Sequence, residues 1–300
     1  MKELLKDIRQ SLKLIYFLFR KDTIFLRRSS NAMGDNLLLT GLLPELRKRN
    51  PNKKIIVESS RWTTLFFNNP YVDWTTSKHF KTTKRHFKPK YHIDRDNTTS
   101  IYNQIGKRLG FDGMFYPKLY LTREEIKNIS DKFLRKLTKP VIVFCPYGKK
   151  GYSANRKEWG SDNFQRTIDL TSDNYHWIQV GLSSDNLLQN VIDARGLSIR
   201  ESASLFSQAD LALTLEGGLM HLAKAVDTLA VVIYGGAISP LTSGYPENHN
   251  IYNKVHCSPC FRSDKALTNC EEMICMDKIT PESVIQSITD ILAKSKKKVR

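Results

Sequence analysis

No stretch of this sequence stays apolar for long. The longest run near its start, Leu14-Ile15-Tyr16-Phe17-Leu18-Phe19, falls far short of the ~18 residues that cross a bilayer. It also lacks the clean apolar region and small-residue cleavage site of a signal peptide. Cysteine is scarce and odd in number: five in 300 residues, four of them in the last quarter. That excludes a secreted disulfide framework, and we expect a cytoplasmic chain. No GxGxxG fingerprint occurs, and Gly148 and Gly151 lack the GKS or GKT ending of a Walker A loop. Acid is also short. Against 47 Lys+Arg there are 30 Asp+Glu, a formal net charge of +17. The imbalance points to an anionic partner, whether nucleic acid, anionic lipid or a phosphorylated substrate, without choosing among them.

What is present is ordinary globular material. Hydrophobic residues make up 40% and charged residues 26%, and the length suits two domains. Leu4, Ile8, Leu12, Ile15 and Phe19 recur at helical spacing over residues 1–20, among Lys2, Lys6, Arg9, Lys13 and Arg20. This reads as an amphipathic helix, either packed on the domain or lying on an anionic membrane surface. Thr23 to Leu26 reads as a strand, Arg27 to Asp35 as a polar loop, Asn36 to Arg49 as a helix and Lys54 to Glu58 as a strand. A basic run with no acid spans Lys78 to Lys90, and a helix is expected near 100–109. After Pro140 the alternation resumes with strands at Val141–Phe144, Trp177–Val180, Asp210–Thr214 and Val231–Tyr234, and helices near 162–170 and 218–226. The pattern predicts an α/β protein with two parallel-sheet units, 1–138 and 139–300. The lysines from Lys294 onward read as a solvated tail.

Four constellations carry chemistry. Gly34-Asp35 sits where a loop meets a helix, so Asp35 is either an N-cap or a carboxylate facing a cleft. Tyr147-Gly148-Lys149-Lys150-Gly151 and Arg156-Lys157-Glu158-Trp159 place glycines and cations beyond a strand end, suited to a phosphate or to a plain charged loop. Gly181 follows another strand and is a further donor-side candidate. Glu216-Gly217-Gly218-Leu219-Met220-His221 joins strand to helix. Its glycines let a ligand approach backbone amides at a helix N-terminus, and His221 is a ligand contact or a buried structural residue. Cys257, Cys260, Cys270 and Cys275 follow CxxC-x9-C-x4-C, close enough for a tetrahedral Zn or Fe, though not a standard zinc ribbon. Disulfides or free structural thiols are the alternatives, and Cys145 reads as core.

Several of these segments resemble one family. Arg28-Ser29-Ser30-Asn31-Ala32-Met33-Gly34-Asp35-Asn36 is similar to the serine-rich "MGD" loop of the bacterial heptosyltransferase-like glycosyltransferases, carbohydrate-active family nine. Lys157-Glu158-Trp159 resembles their K-x-W motif. Asp193-Ala194-Arg195-Gly196, Leu205, Ala209-Asp210 and Glu216 through Ala223 resemble their D-x-x-G to D-[S/T]-G-x-x-H-x-A block, with Glu-Gly-Gly in place of Asp-Ser/Thr-Gly. The cysteine segment occurs in a subset of relatives. The resemblance implies the GT-B fold, two Rossmann-like domains facing across a cleft. It also implies cofactor-independent, inverting transfer from a nucleotide-diphosphate sugar to a lipopolysaccharide or surface-glycan acceptor, at the inner face of the plasma membrane. Asp35 would be the base. Lys157, with Gly217 and Gly218, would meet the diphosphate; Glu216 would stand near the donor. A nucleic-acid-binding protein with a four-cysteine module is the alternative, and a catalytically dead relative a third reading.

Overall fold

Short β-branched runs separated by helices build two wholly parallel sheets. The computed structural model describes residues 2–27, 31–78, 86–87, 90–93, 99–111, 113–148, 153–261 and 267–298, without the side chains of 2–6, 86 and 295–298. The first part holds α1 (Lys2–Phe19), β1 (Thr23–Arg27), α2 (Met33–Arg49), β2 (Lys54–Glu58), β3 (Trp74–Thr76), β4 (His86–Phe87), α3 (Ile101–Arg108) and α4 (Arg123–Ile129). The second continues with β5 (Val141–Phe144), α5 (Ser161–Asp169), β6 (His176–Gln179), β7 (Ile192–Asp193), α6 (Ile199–Phe206), β8 (Leu211–Leu215) and α7 (Gly218–Ala225). It closes with β9 (Ala230–Ile233), α8 (Pro240–Ser243), β10 (His249–Ile251), α9 (Ile274–Asp277) and α10 (Pro281–Lys298).

The first sheet has the order β3-β2-β1-β4 and the second β10-β9-β8-β5-β6-β7. Each therefore reverses its winding beside its first strand, at β1/β4 and at β5/β8. Ligands of open parallel sheets bind at the carboxyl ends of such switch points. β5, β8 and β9 are buried along their whole length, as helix-covered parallel strands must be.

Several expectations are corrected. α2 starts at Met33 rather than Asn36, so Asp35 lies inside the first turn. The N-cap is Ala32, with no side-chain cap bond; Asp35 is not a cap. Along α1 the predicted stripe faces the wrong way. Leu14 and Phe17 are the buried residues, packed on Phe25 and Ile56 beside Trp74, whereas Ile8, Leu12, Ile15 and Phe19 are exposed. Leu4 lies outside the described side chains. The region read as a tail from Lys294 continues α10 to Lys298, whose Val284, Ile288, Ile291 and Leu292 enter the second core. β3, β4, β7 and β10 escape sequence reading because two or three residues show no periodicity. Most of the Lys78–Lys90 run, and Lys149-Lys150-Gly151, lie outside the described residues. Among the described residues no helix is long and apolar enough to cross a membrane.

Candidate functional site

Both switch points open toward one another. In the first sheet, the chain leaving β1 turns into α2 and presents Asp35. The turn is held from inside: buried Asn36 donates through Nδ2 to the Ala32 carbonyl at 2.8 Å. Ser59 in turn donates to Asn36 Oδ1 at 2.9 Å, and the Trp62 indole donates to the Asn31 carbonyl at 2.9 Å. The segment after β4 brings in Tyr91, whose hydroxyl donates to Asp35 Oδ1 at 2.7 Å. Burial, then the neighbouring charge of Asp35, pushes the Tyr91 phenol well above its ordinary value, so it stays a hydrogen-bond donor.

In the second sheet, the loop after β5 carries Lys157 and the end of β8 carries Glu216. Trp159 anchors the loop, buried and donating to the Ile279 carbonyl at 2.7 Å. Lys157 forms an ion pair with Glu216 and lies 5.5 Å above the Phe261 ring. Ser243 donates to the other oxygen of Glu216 at 3.1 Å. Burial opposes the charge of Glu216, but the Lys157 ammonium outweighs it and holds the carboxyl below its ordinary range. Gly217 adopts φ +148° with nothing near its missing Cβ, a conformation that only glycine holds cheaply. It leaves the first amides of α7 beside open space.

The two halves meet at helix N-termini. A Cβ on Gly34 would stand 2.9 Å from the His221 ring, and one on Gly218 2.6 Å from the Met33 methyl. Asp35 and the Glu216-Gly217-Gly218 turn thus face one crevice across this contact. His221 is buried, and its Nδ1 shares a 2.6 Å hydrogen bond with the Tyr245 hydroxyl. Burial lowers its pKa to about 4, partly offset by Glu216 and Asp35, so it is a neutral packing partner at the junction. Tyr102 from α3 ties the halves further, donating to the Ser243 carbonyl at 2.7 Å.

The remaining candidates sort by their surroundings. Gly148 follows β5, where a Cβ would make ordinary contacts with Leu215 at 3.5 Å and Glu158 at 3.9 Å. Gly181 has a local explanation: φ is +147° and a Cβ would stand 2.5 Å from Asp185, which accepts from the Leu182 amide at 2.7 Å. Cys145 is buried, and burial pushes its thiol up to about 11. Cys257, Cys260, Cys270 and Cys275 line one cavity of about 30 Å³ beside Arg156. Among the described residues no three His, Cys, Asp or Glu side chains are arranged to hold a metal ion. Burial also raises the Cys275 thiol. Tyr91, Ser243 and Tyr245 were not legible as site residues, because no local motif surrounds them and each arrives from a different element.

A family model described as Glycosyltransferase family 9 (heptosyltransferase) matches residues 61–271. Among solved structures, the E. coli ADP-heptose lps heptosyltransferase II aligns over 91% of this chain and 99% of its own, with TM-score 0.68 and 15% identity. A family 9 glycosyl transferase from Veillonella parvula aligns over 92% and 99%, with TM-score 0.69 and 15% identity. The iron-containing dodecameric glycosyltransferase TibC of enterotoxigenic E. coli aligns over 91% and 76%, with TM-score 0.70 and 16% identity. A sequence search of curated proteins finds no match.

Proposed function

This chain belongs to glycosyltransferase family 9 and has its two-Rossmann GT-B fold; from that premise we propose that it is an inverting transferase with Asp35 as base. The donor is a nucleotide-diphosphate sugar carrying heptose or a related sugar, and the acceptor a lipopolysaccharide or surface glycan. One observation carries the reading: Asp35 and the Lys157–Glu216–Gly217–Gly218 group face one crevice from the switch points of two sheets. An ADP-bound heptosyltransferase WaaC of similar fold makes ADP the first donor base to try. The nucleic-acid alternative finds no support in the comparisons.

In this mechanism Asp35 accepts the proton of the acceptor hydroxyl as its oxygen attacks the anomeric carbon. The bond from that carbon to the diphosphate oxygen breaks, and its electron pair leaves with the diphosphate. Tyr91 donates to one Asp35 oxygen and orients the carboxylate. The growing charge on the leaving group is met by Lys157 and by the amides at the start of α7. Lys157 is held in readiness by Glu216, from which an arriving diphosphate draws it. Because these groups supply the positive charge, transfer is expected to persist in EDTA.

Asp35→Asn tests the base. It should leave nucleotide affinity unchanged and cut transfer by roughly 10²–10⁴-fold, read by isothermal titration and product formation. Full transfer by this variant would remove Asp35 from the chemistry. The cysteine spacing still supports a structural Zn or Fe, although no step is routed through it. Elemental analysis of purified protein should find near one metal per chain; folded, metal-free protein ends that proposal.

A further inference from the structure

α1 has three faces: the fold packs one, and Lys13 on the basic face lies 5.5 Å over the Trp74 ring. At about 100° per residue, Leu14 and Phe17 form the packed face. The stripe Ile8, Leu12, Ile15 and Phe19 lies about 160° from it, and Arg9 and Lys13 lie about 110° further on. The packed residues are 7% and 6% exposed, whereas Leu12 is 62% and Phe19 83% exposed. Tyr16, also exposed, sits between the apolar and basic faces. Asp7 is turned away and pairs with Lys78 at 2.8 Å. A helix docked by one face, with a second face of large apolar side chains edged by cations, is built to enter the boundary of a charged bilayer.

We propose that this outward stripe of α1 docks the protein on an anionic lipid surface, its apolar side chains inserting and Arg9 and Lys13 meeting headgroups. Charge favours lipid over a second copy of the chain: two copies facing across this stripe would bring like charges together on molecules of formal net charge +17. The direction of α1 adds to this. Phe17 stacks on Trp74, at the start of β3, with centroids 5.5 Å apart. Asp7 and Ser11 instead meet Lys78, just past the end of β3. The N-terminal half of α1 therefore lies at the carboxyl end of the first sheet, the end that carries Asp35. A lipid surface under α1 would meet the same end of the sheet as the base.

The test needs neither nucleotide nor acceptor, so it is separate from the transferase reading. Full-length protein is sedimented with vesicles of phosphatidylcholine alone or mixed with phosphatidylglycerol. Binding is expected to the mixed vesicles and to weaken with salt. The variant Ile8→Gln/Leu12→Gln/Ile15→Gln/Phe19→Gln should bind at least about tenfold more weakly, with Tm unchanged because Leu14 and Phe17 remain. If that variant fails to fold, Arg9→Gln/Lys13→Gln should still weaken binding roughly tenfold. Binding by either folded variant equal to that of the native protein overturns the proposal, as does equal binding to pure phosphatidylcholine. So does a native chain that ignores both vesicles but forms a dimer lost in the fourfold variant, which would assign the stripe to a second copy.

Discussion

At the scale of single residues, the site depends on buried groups whose charge is set by neighbours. Tyr91 fixes one oxygen of Asp35 by donating to it at 2.7 Å. Tyr91→Phe keeps the ring and loses the donor, so kcat should fall roughly tenfold. Nucleotide affinity should not change. An unchanged kcat would leave Tyr91 a packing residue. The folded pKa of His221, about 4, lies below its ordinary 6.5, so between these values the unfolded chain binds more protons. Its contribution is present above pH 6.5 and is lost as pH falls toward 4, about 3 kcal/mol over the window. The lowered Glu216 adds loss in the same direction at still lower pH. Denaturant unfolding from pH 7 to 4 should show this slope, and His221→Gln should flatten it. A parallel slope in the variant would place the sensitivity elsewhere.

At the scale of elements, the contact between α2 and α7 determines how far apart the base and the donor turn sit. The two glycines there differ in what a methyl would meet. On Gly34 it would press on His221, which Tyr245 holds in place; on Gly218 it would meet the free end of Met33. Gly34→Ala should therefore destabilise by roughly 1–3 kcal/mol and lower kcat more than nucleotide affinity, while Gly218→Ala should cost less. Thermal unfolding and steady-state kinetics on the pair check the order, and equal effects would contradict the packing argument. A second tie joins α4 to α6. Arg200 grips Glu125 through Nε at 2.5 Å and Nη2 at 2.8 Å, and also donates to the carbonyls of Thr64 and Tyr120. Arg200 lowers the Glu125 pKa to about 2. Glu125 is partly exposed, so Arg200→Met should cost a discounted ~2–3 kcal/mol in denaturant unfolding. No change would mean that the carbonyls find water instead.

At the scale of the molecule, two parallel sheets with aligned switch points make one crevice from residues far apart in the chain. A nucleotide diphosphate held there should stabilise the whole protein, by roughly 2.7 kcal/mol at 100 times its dissociation constant. Thermal unfolding against ADP, GDP, UDP and CDP, with short DNA as control, reads this directly. A shift with ADP supports the donor named above, and a shift with another base changes the donor but keeps the transferase. No shift with any of them would count against the site itself.

The strands and turns were legible where the signal is local. Val141–Phe144 and Lys54–Glu58 are β-branched runs long enough to declare themselves, and Glu216-Gly217-Gly218 marks a strand-to-helix turn because φ there needs glycine. The order of such elements already implied parallel sheets and a crevice at their carboxyl ends. What the chain could not show locally was which surfaces would meet. The repeat in α1 predicted an apolar face, yet the fold buried Leu14 and Phe17 and left the repeat outside. Asp35, Tyr91, Lys157, Glu216 and Ser243 come together only because α2 and α7 pack N-terminus to N-terminus through glycines. Periodicity and turn chemistry act over a few residues and are written in the sequence. Pairings between distant side chains are decided by close packing, which exists only once the chain has folded.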